Sequence, residues 1–238
     1  MEKKYELTDE ILEVGGHVLH RIKALRDFGN VKKGDIGGWI ECEDNLSHDD
    51  DCWVYDEAII CDKATVRDKA TVRGEATVCG EATVCDKATV RGEATVWDKA
   101  TVRGEARVCG EARVYGKATV CGEARVCGEA EVYGKATVYG KATVCGEATV
   151  YGNAEVNGCA RVCGVARVEK KSDYIVFKNW WSSGRYFTWT RSNDMWSVGC
   201  FYGTGEELIT KAYNDSEESG REYERIVKYV ESIKQEFK

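Results

Sequence analysis

From Val54 to Val168, a valine or isoleucine stands at every sixth residue: Val54, Ile60, Val66, Val72 and so on through Val162. Two residues before each sits a small residue, nearly always alanine, as in Ala64, Ala70 and Ala76. Two residues after each sits Gly or Asp, until the last repeat. A period of six matches neither a helix nor a simple strand, but it is the mark of a parallel β-helix built from hexapeptides. In a strand, residues i and i−2 share a face, so valine and alanine point inward and the residue between them points outward. The Gly or Asp that follows takes a positive φ at little cost and turns the chain. Three such sides close one coil, so each side returns every 18 residues. About seven coils at roughly 4.8 Å spacing make a rod on the order of 35 Å long. Its interior, filled with valine and alanine, has no room for a ligand.

The chain has 238 residues, a formal net charge of −7, 12 cysteines and no proline. That length fits one elongated domain with small caps. Met1-Glu2-Lys3-Lys4 runs into polar sequence and no apolar run approaches transmembrane length, so a cytoplasmic protein with no membrane partner is expected. Most cysteines (Cys61, Cys79, Cys85, Cys109, Cys121, Cys127, Cys145, Cys163) occupy the outward position after valine. They read as free thiols in a reducing compartment. No Cys-x-x-Cys or Cys/His spacing points to zinc, and neither a metal nor another cofactor is expected.

Acidity is concentrated near one end. Residues 41–57 carry eight acids and no Lys or Arg, whereas residues 61–171 carry 18 bases and 15 acids. This is not the broad basic surface of a duplex-binding protein, and direct duplex DNA binding is not expected.

Three segments follow from the pattern: an N-terminal β cap (1–37), the hexapeptide β-helix (38–171) and a C-terminal module (172–238). In the cap, Ile11-Leu12-Glu13-Val14, Gly15-Gly16 and His17-Val18-Leu19-His20-Arg21-Ile22 predict a β-hairpin, which would cover the exposed edge of the first coil. The register is expected to begin near Ile40, with Leu46, Cys52 and Ala58 following at six-residue steps. Cys42 and His48 would then fall at the valine position of an irregular first coil. In the C-terminal module, residues 173–179, 185–191 and 195–201 predict three strands. Thr204-Gly205-Glu206-Glu207 predicts a capping box opening a short helix. Tyr223, Ile226, Val227, Val230 and Ile233 form the apolar stripe of a second helix. Trp180, Trp181, Trp189 and Trp196 are either the core of this module or a set of aromatic contact residues.

The repeat resembles the left-handed hexapeptide β-helix of bacterial acyltransferases, and the left hand is implied by that resemblance rather than by the spacing. The N-terminal run is similar to the start of hexapeptide-repeat proteins of bacteriophages and prophages, a family mostly without assigned function. It comprises Lys4-Tyr5-Glu6-Leu7-Thr8-Asp9, Leu25-Arg26-Asp27-Phe28, Gly34-Asp35-Ile36-Gly37-Gly38-Trp39-Ile40 and Asn45-Leu46-Ser47. That resemblance implies action inside a host cell and supplies no catalytic residues. Related acyltransferases trimerise, which leaves a dimer or trimer open.

Surface residues must stack in columns 18 apart. On the first side the corner position reads Glu57, Glu75, Glu93, Glu111, Glu129 and Glu147, an acidic edge. Arg73, Arg91, Arg107 and Arg125 stand beside it as expected compensation. The second side stacks Trp97, Tyr115, Tyr133 and Tyr151, with Lys99, Lys117 and Lys135 alongside. Aromatic faces beside ammonium groups suit a nucleotide-like anionic ligand or a protein interface. The first side also carries a thiol column, Cys109, Cys127, Cys145 and Cys163.

Hexapeptide acyltransferases typically use a coil-borne histidine as general base. Here the three histidines, His17, His20 and His48, precede the regular coils, and no phosphate loop or paired catalytic carboxylates stand out. The expectation is therefore a non-catalytic phage or prophage accessory protein. It would bind a host macromolecule, for instance to inhibit a host-defence system, through its side and edge columns. Sequestration of a nucleotide-like ligand at the Tyr/Lys side is a second reading, and an acyltransferase a third.

Overall fold

The computed structural model describes residues 3–234. Short strands of two or four residues on the three sides of the coil stack into three parallel sheets. Trp53–Val54 through Arg161–Val162 make a sheet of 7 strands on the first side, and Thr65–Val66 through Glu155–Val156 a sheet of 6 on the third. The second side, Ile59–Ile60 through Arg167–Val168, belongs to a sheet of 10 that also takes in the N-terminal strands. From Val54 onward every step is 18 residues, as in Val96↔Val114 and Val126↔Val144. All the repeat valines and alanines are fully buried in one continuous core.

Two residue types solve the corner. Asp56, Asp62, Asp68, Asp86 and Asp98 turn the chain at φ between 55° and 61°. Each lends its Oδ2 to a backbone N–H one coil further on, as in Gly74 N to Asp56 (3.0 Å) and Gly104 N to Asp86 (2.8 Å). Aspartate is one of the few residues that tolerates the left-handed region, and the bond to the next coil offsets that cost. From Gly104 onward glycine takes every corner, and the backbones approach closely there. A Cβ placed on Gly128 would lie 3.0 Å from the backbone N and O of Gly146.

The cap is the expected hairpin, Tyr5–Val14 against His17–Ala24, turning at Gly15 and Gly16 with φ of 61° and 89°. Strand Ile36–Ile40 lies antiparallel to the second hairpin strand and parallel to Ile59–Ile60, so the hairpin extends the second side's sheet. The first coil corrects the sequence register. Ile40 pairs with Ile60 and Leu46 with Val66, both twenty residues on, whereas Val54 pairs with Val72 at the regular 18. Two extra residues therefore lie between Leu46 and Val54. Ile40 and Leu46 take valine positions, while Cys52 and Ala58 take alanine positions two residues before Val54 and Ile60. His48 leaves the valine series and stacks on Tyr5 at 4.3 Å. The inserted turn is held by the buried Lys4, whose ammonium donates to Cys52 O (2.9 Å) and Asp49 O (3.2 Å). Burial pushes the Lys4 pKa down.

The C-terminal module has four antiparallel strands rather than three. They are Tyr174–Lys178, Tyr186–Thr190, Met195–Val198 and Phe201–Gly203. Phe201 begins a strand of its own because the chain reverses at Gly199, φ 57°. Helices α1 (Gly205–Asp215) and α2 (Glu217–Lys234) follow, and the Thr204/Glu207 capping box is formed. The module closes the end of the rod. Along its first strand, Tyr174 and Val176 pack on the coil core while Ile175 and Phe177 pack on the module's own core, a period-two division between two faces. Thr188 Oγ1 accepts the Arg161 N–H at 2.9 Å and Tyr174 donates to Glu155 O at 3.0 Å, securing the dock. Among the described residues no helix is long and apolar enough to cross a membrane.

Candidate functional site

The three edges of the rod differ in how their charges are matched. On the third-side edge, Lys87 pairs with Glu105 at 3.0 Å and Lys141 with Glu123 at 3.7 Å. On the second-side edge, Lys99 pairs with Glu81 at 3.0 Å. On the first-side edge only the topmost carboxylate is matched. Glu57 accepts from the Trp39 indole N–H (2.9 Å) and from Arg21 (2.7 Å), and these bonds, the Trp39 one foremost, hold its carboxyl below the usual range. Below it, Glu75, Glu93, Glu111, Glu129 and Glu147 are all exposed, and none of them forms an ion pair among the described residues. The compensation expected from Arg73, Arg91, Arg107 and Arg125 does not take the form of ion pairs. Those arginines leave their strands on neighbouring outward positions while the glutamates sit at the corner.

A shallow cleft of about 220 Å³ runs beside this edge, lined by Glu111, Glu129, Glu147, Arg113, Glu131 and Thr149. Its one cation is already engaged, since Arg113 pairs with Glu131 at 3.2 Å. Adjacent unit charges roughly 5 Å apart in water repel by about 0.8 kcal/mol before salt screening. The column is thus a modest, repeated cost that cations from another molecule would relieve.

On the second side, Trp97, Tyr115, Tyr133 and Tyr151 form one continuous stack. Ring centroids lie 4.4, 4.9 and 5.5 Å apart, with planes 3°, 11° and 18° from parallel. The rings therefore cover one another's faces and turn their edges outward, leaving full faces only at the two ends. Tyr115 also contacts Glu131 through its hydroxyl at 3.4 Å. Burial, followed by the Glu131 charge, pushes its pKa up to about 12. Lys117 and Lys135 stand exposed beside the stack.

Of the four C-terminal tryptophans, Trp189 and Trp196 are core residues, each 1% exposed. Trp181 packs edge-on against Tyr223 and Phe187. Trp180, at 73% exposure, is the one that faces solvent. All three histidines lie in the cap or first coil. His20 Nδ1 lies 3.3 Å from Thr8 O, and His48 Nδ1 accepts the Lys4 N–H at 3.2 Å.

The thiols depart from expectation in one place. Cys145 and Cys163 form a disulfide, their Cα atoms 4.6 Å apart. In-register neighbours in a parallel sheet fall within the Cα separation that a disulfide requires, so the column that stacks the residues also bridges them. Cys109, Cys121 and Cys127 remain free.

Linear spacing also missed a cluster at the cap–coil joint. His17, Cys61 and Asp62 bring one ligand atom each within 4.8 Å of one another. His17 lies more than forty residues from the adjacent Cys61 and Asp62, so only the folded hairpin unites them. Glu41 lies against His17 Nδ1 at 3.2 Å and raises its pKa through that hydrogen bond. Cys61 hydrogen-bonds Cys79 in the next coil, which pushes the Cys61 thiol up and holds Cys79 below the usual range.

Comparison with known proteins bears on the repeat. A family model described as the YdcK beta solenoid repeat matches residues 106–122. Over 40 residues the chain is 42% identical to the uncharacterized acetyltransferase YdcK of Escherichia coli (strain K12), a stretch covering 17% of this chain and 12% of that protein. The likeness therefore spans about an eighth of the relative's length. Residues 106–122 lie wholly within the coils and include Glu111, Arg113, Tyr115 and Lys117. Together with the three parallel sheets, they establish a β-solenoid repeat protein.

Proposed function

We propose that the chain is a non-catalytic binding protein that engages a basic macromolecular partner along its acidic edge. The observation that carries this reading is the run of five exposed glutamates, Glu75 to Glu147, with no ion pair among the described residues, whereas the corner glutamates of the other two edges, Glu81, Glu105 and Glu123, each pair with a lysine one coil away. A β-helix holds these carboxylates at a fixed spacing, so little ordering entropy is lost when a complementary row of Lys or Arg meets them. The resemblance of residues 4–47 to phage and prophage hexapeptide proteins supports a partner in a host cell, a host-defence component among the candidates.

The stack at Trp97–Tyr151 supports a small-ligand role less well, because the rings occupy each other's faces. An acyltransferase reading is favoured by the short likeness to YdcK, which is named as an uncharacterized acetyltransferase. Against it stands the placement of His17, His20 and His48 in the cap and first coil, away from the regular coils.

Native mass spectrometry of the tagged chain, recovered gently from its own cells, separates the three. A bound basic protein that is lost with Glu93→Lys/Glu111→Lys/Glu129→Lys supports the proposal. A discrete adduct of small-molecule mass, lost with Tyr115→Ala, replaces it with ligand sequestration. Turnover of acetyl-CoA by the purified chain replaces it with acyl transfer.

A further inference from the structure

Where the N-terminal hairpin meets the coils, two segments distant in sequence present metal-ligating atoms to one point, and a third stands beside it. His17 opens the second hairpin strand, Cys61 and Asp62 follow Ile60 on the second side, and Cys79 stands next to Cys61 in the same column. Ligand atoms of His17, Cys61 and Asp62 all lie within 4.8 Å of one another. His17 Nδ1 lies 3.2 Å from both carboxylate oxygens of Glu41. With the ring proton donated there, Nε2 carries the lone pair, and it lies 3.9 Å from Asp62 Oδ1. Glu41 Oε2 also accepts the Asp62 backbone N–H at 2.6 Å. One carboxylate thus orients the imidazole and anchors the backbone that carries the sulfur and the second carboxylate. A carboxylate behind a histidine is the usual means of orienting a metal-binding ring.

We propose that His17, Cys61, Asp62 and Cys79 bind a divalent transition metal of the zinc type, with Glu41 as the positioning residue. The donor set decides the class: imidazole nitrogen and thiolate sulfur suit zinc, whereas calcium and magnesium take oxygen. Cys61 is 6% exposed and lies beneath Leu19 and Trp39, so the sulfur is sheltered from solvent. On binding, each thiol releases its proton to solvent and its sulfur lone pair forms the metal bond, with no change of oxidation state. Three of the donors already converge, and Cys79, beside Cys61 in the next coil, would supply the fourth; a site closed by four protein donors is structural. The metal would staple the hairpin to the first regular coil. A second cluster, Asp68, Cys85 and Asp86, has no imidazole, and it serves as the control.

The test is a Co2+ titration of the reduced full chain, followed by Zn2+ competition against a chelator. The wild-type chain should take up one equivalent of Co2+ with the absorption of tetrahedral thiolate ligation. Cys61→Ser and His17→Gln should abolish that absorption, with circular dichroism confirming that the coils persist. Glu41→Gln should retain it while weakening affinity about ten- to a hundredfold. Cys85→Ser should leave it unchanged. No thiolate absorption in the reduced wild type, or absorption that survives Cys61→Ser or His17→Gln, overturns the site.

Discussion

Trp97 and Tyr115, eighteen residues apart in the chain, stack with ring centroids 4.4 Å apart and planes 3° from parallel. The coil repeat alone produces this geometry: strand spacing in a parallel sheet nearly equals the offset-stacking distance of two rings. The same coincidence brings Cys145 and Cys163 within bonding reach and lines up the glutamates of the first edge. In this fold, a residue repeated at 18 is a residue placed in contact with its copy.

The stack should therefore contribute to stability. Tyr115 touches Trp97 above and Tyr133 below. At about 0.5–1.5 kcal/mol per aromatic pair, Tyr115→Ala should cost about 1–3 kcal/mol in chemical denaturation. Tyr151→Ala, at the end of the stack, should cost about half as much.

Corner glycines should fall into two classes. Gly128 adopts φ 74° with Gly146 backbone atoms 3.0 Å from where a Cβ would stand, whereas Gly158 adopts φ 62° with open space around it. Both alanine variants incur the left-handed penalty of about 1–2 kcal/mol. Only Gly128→Ala must also push two coils apart, so its midpoint in denaturant should fall clearly below that of Gly158→Ala.

Alkaline pH should expose the Tyr115–Glu131 contact. The folded-state pKa of Tyr115 is pushed up to about 12 from an ordinary value of 10.0. Between these values the unfolded chain has lost the phenolic proton and the native chain has kept it. The native state then binds more protons, and stability falls as pH rises. This group's contribution is full below pH 10.0 and is lost by about 12. In an ultraviolet tyrosinate titration of the folded protein, Tyr115→Phe should delete one late-ionising group.

Docking of the C-terminal module should depend on Gly164. Its corner, φ 66°, faces the Tyr202 hydroxyl, and a Cβ there would run into it. Gly164→Ala should loosen the module from the last coil. The expected readout is faster limited proteolysis near residues 169–173, with the coils themselves resistant.

How much was legible in the sequence follows from the same physics. Wherever the six-residue period holds, side, column and inward face can be read directly, and the glutamate, aromatic and thiol columns fall where the spacing puts them. Legibility ends where the period breaks. The two residues added between Leu46 and Val54 shift the first coil, because the buried Lys4 holds a turn that no hexapeptide template contains. The fourth C-terminal strand depended on a single glycine, Gly199. Ion pairing on the edges and the cluster of His17, Cys61 and Asp62 required side-chain directions and a hairpin fold, neither of which a linear pattern encodes.

The most direct test of the acidic edge compares two charge-reversed chains that differ only in place. Glu93→Lys/Glu111→Lys/Glu129→Lys reverses the unpaired column. Glu81→Lys/Glu105→Lys/Glu123→Lys makes the same change in net charge at the paired carboxylates of the other two edges. Dissociation constants for the recovered partner would be measured across a series of ionic strengths. An interaction surface on the first edge predicts a loss of about tenfold or more for the first chain, equivalent to roughly 1.4 kcal/mol, and a far smaller loss for the second. Equal losses in both would mean that only net charge matters, and unchanged binding in the first would place the partner elsewhere; either result contradicts the account.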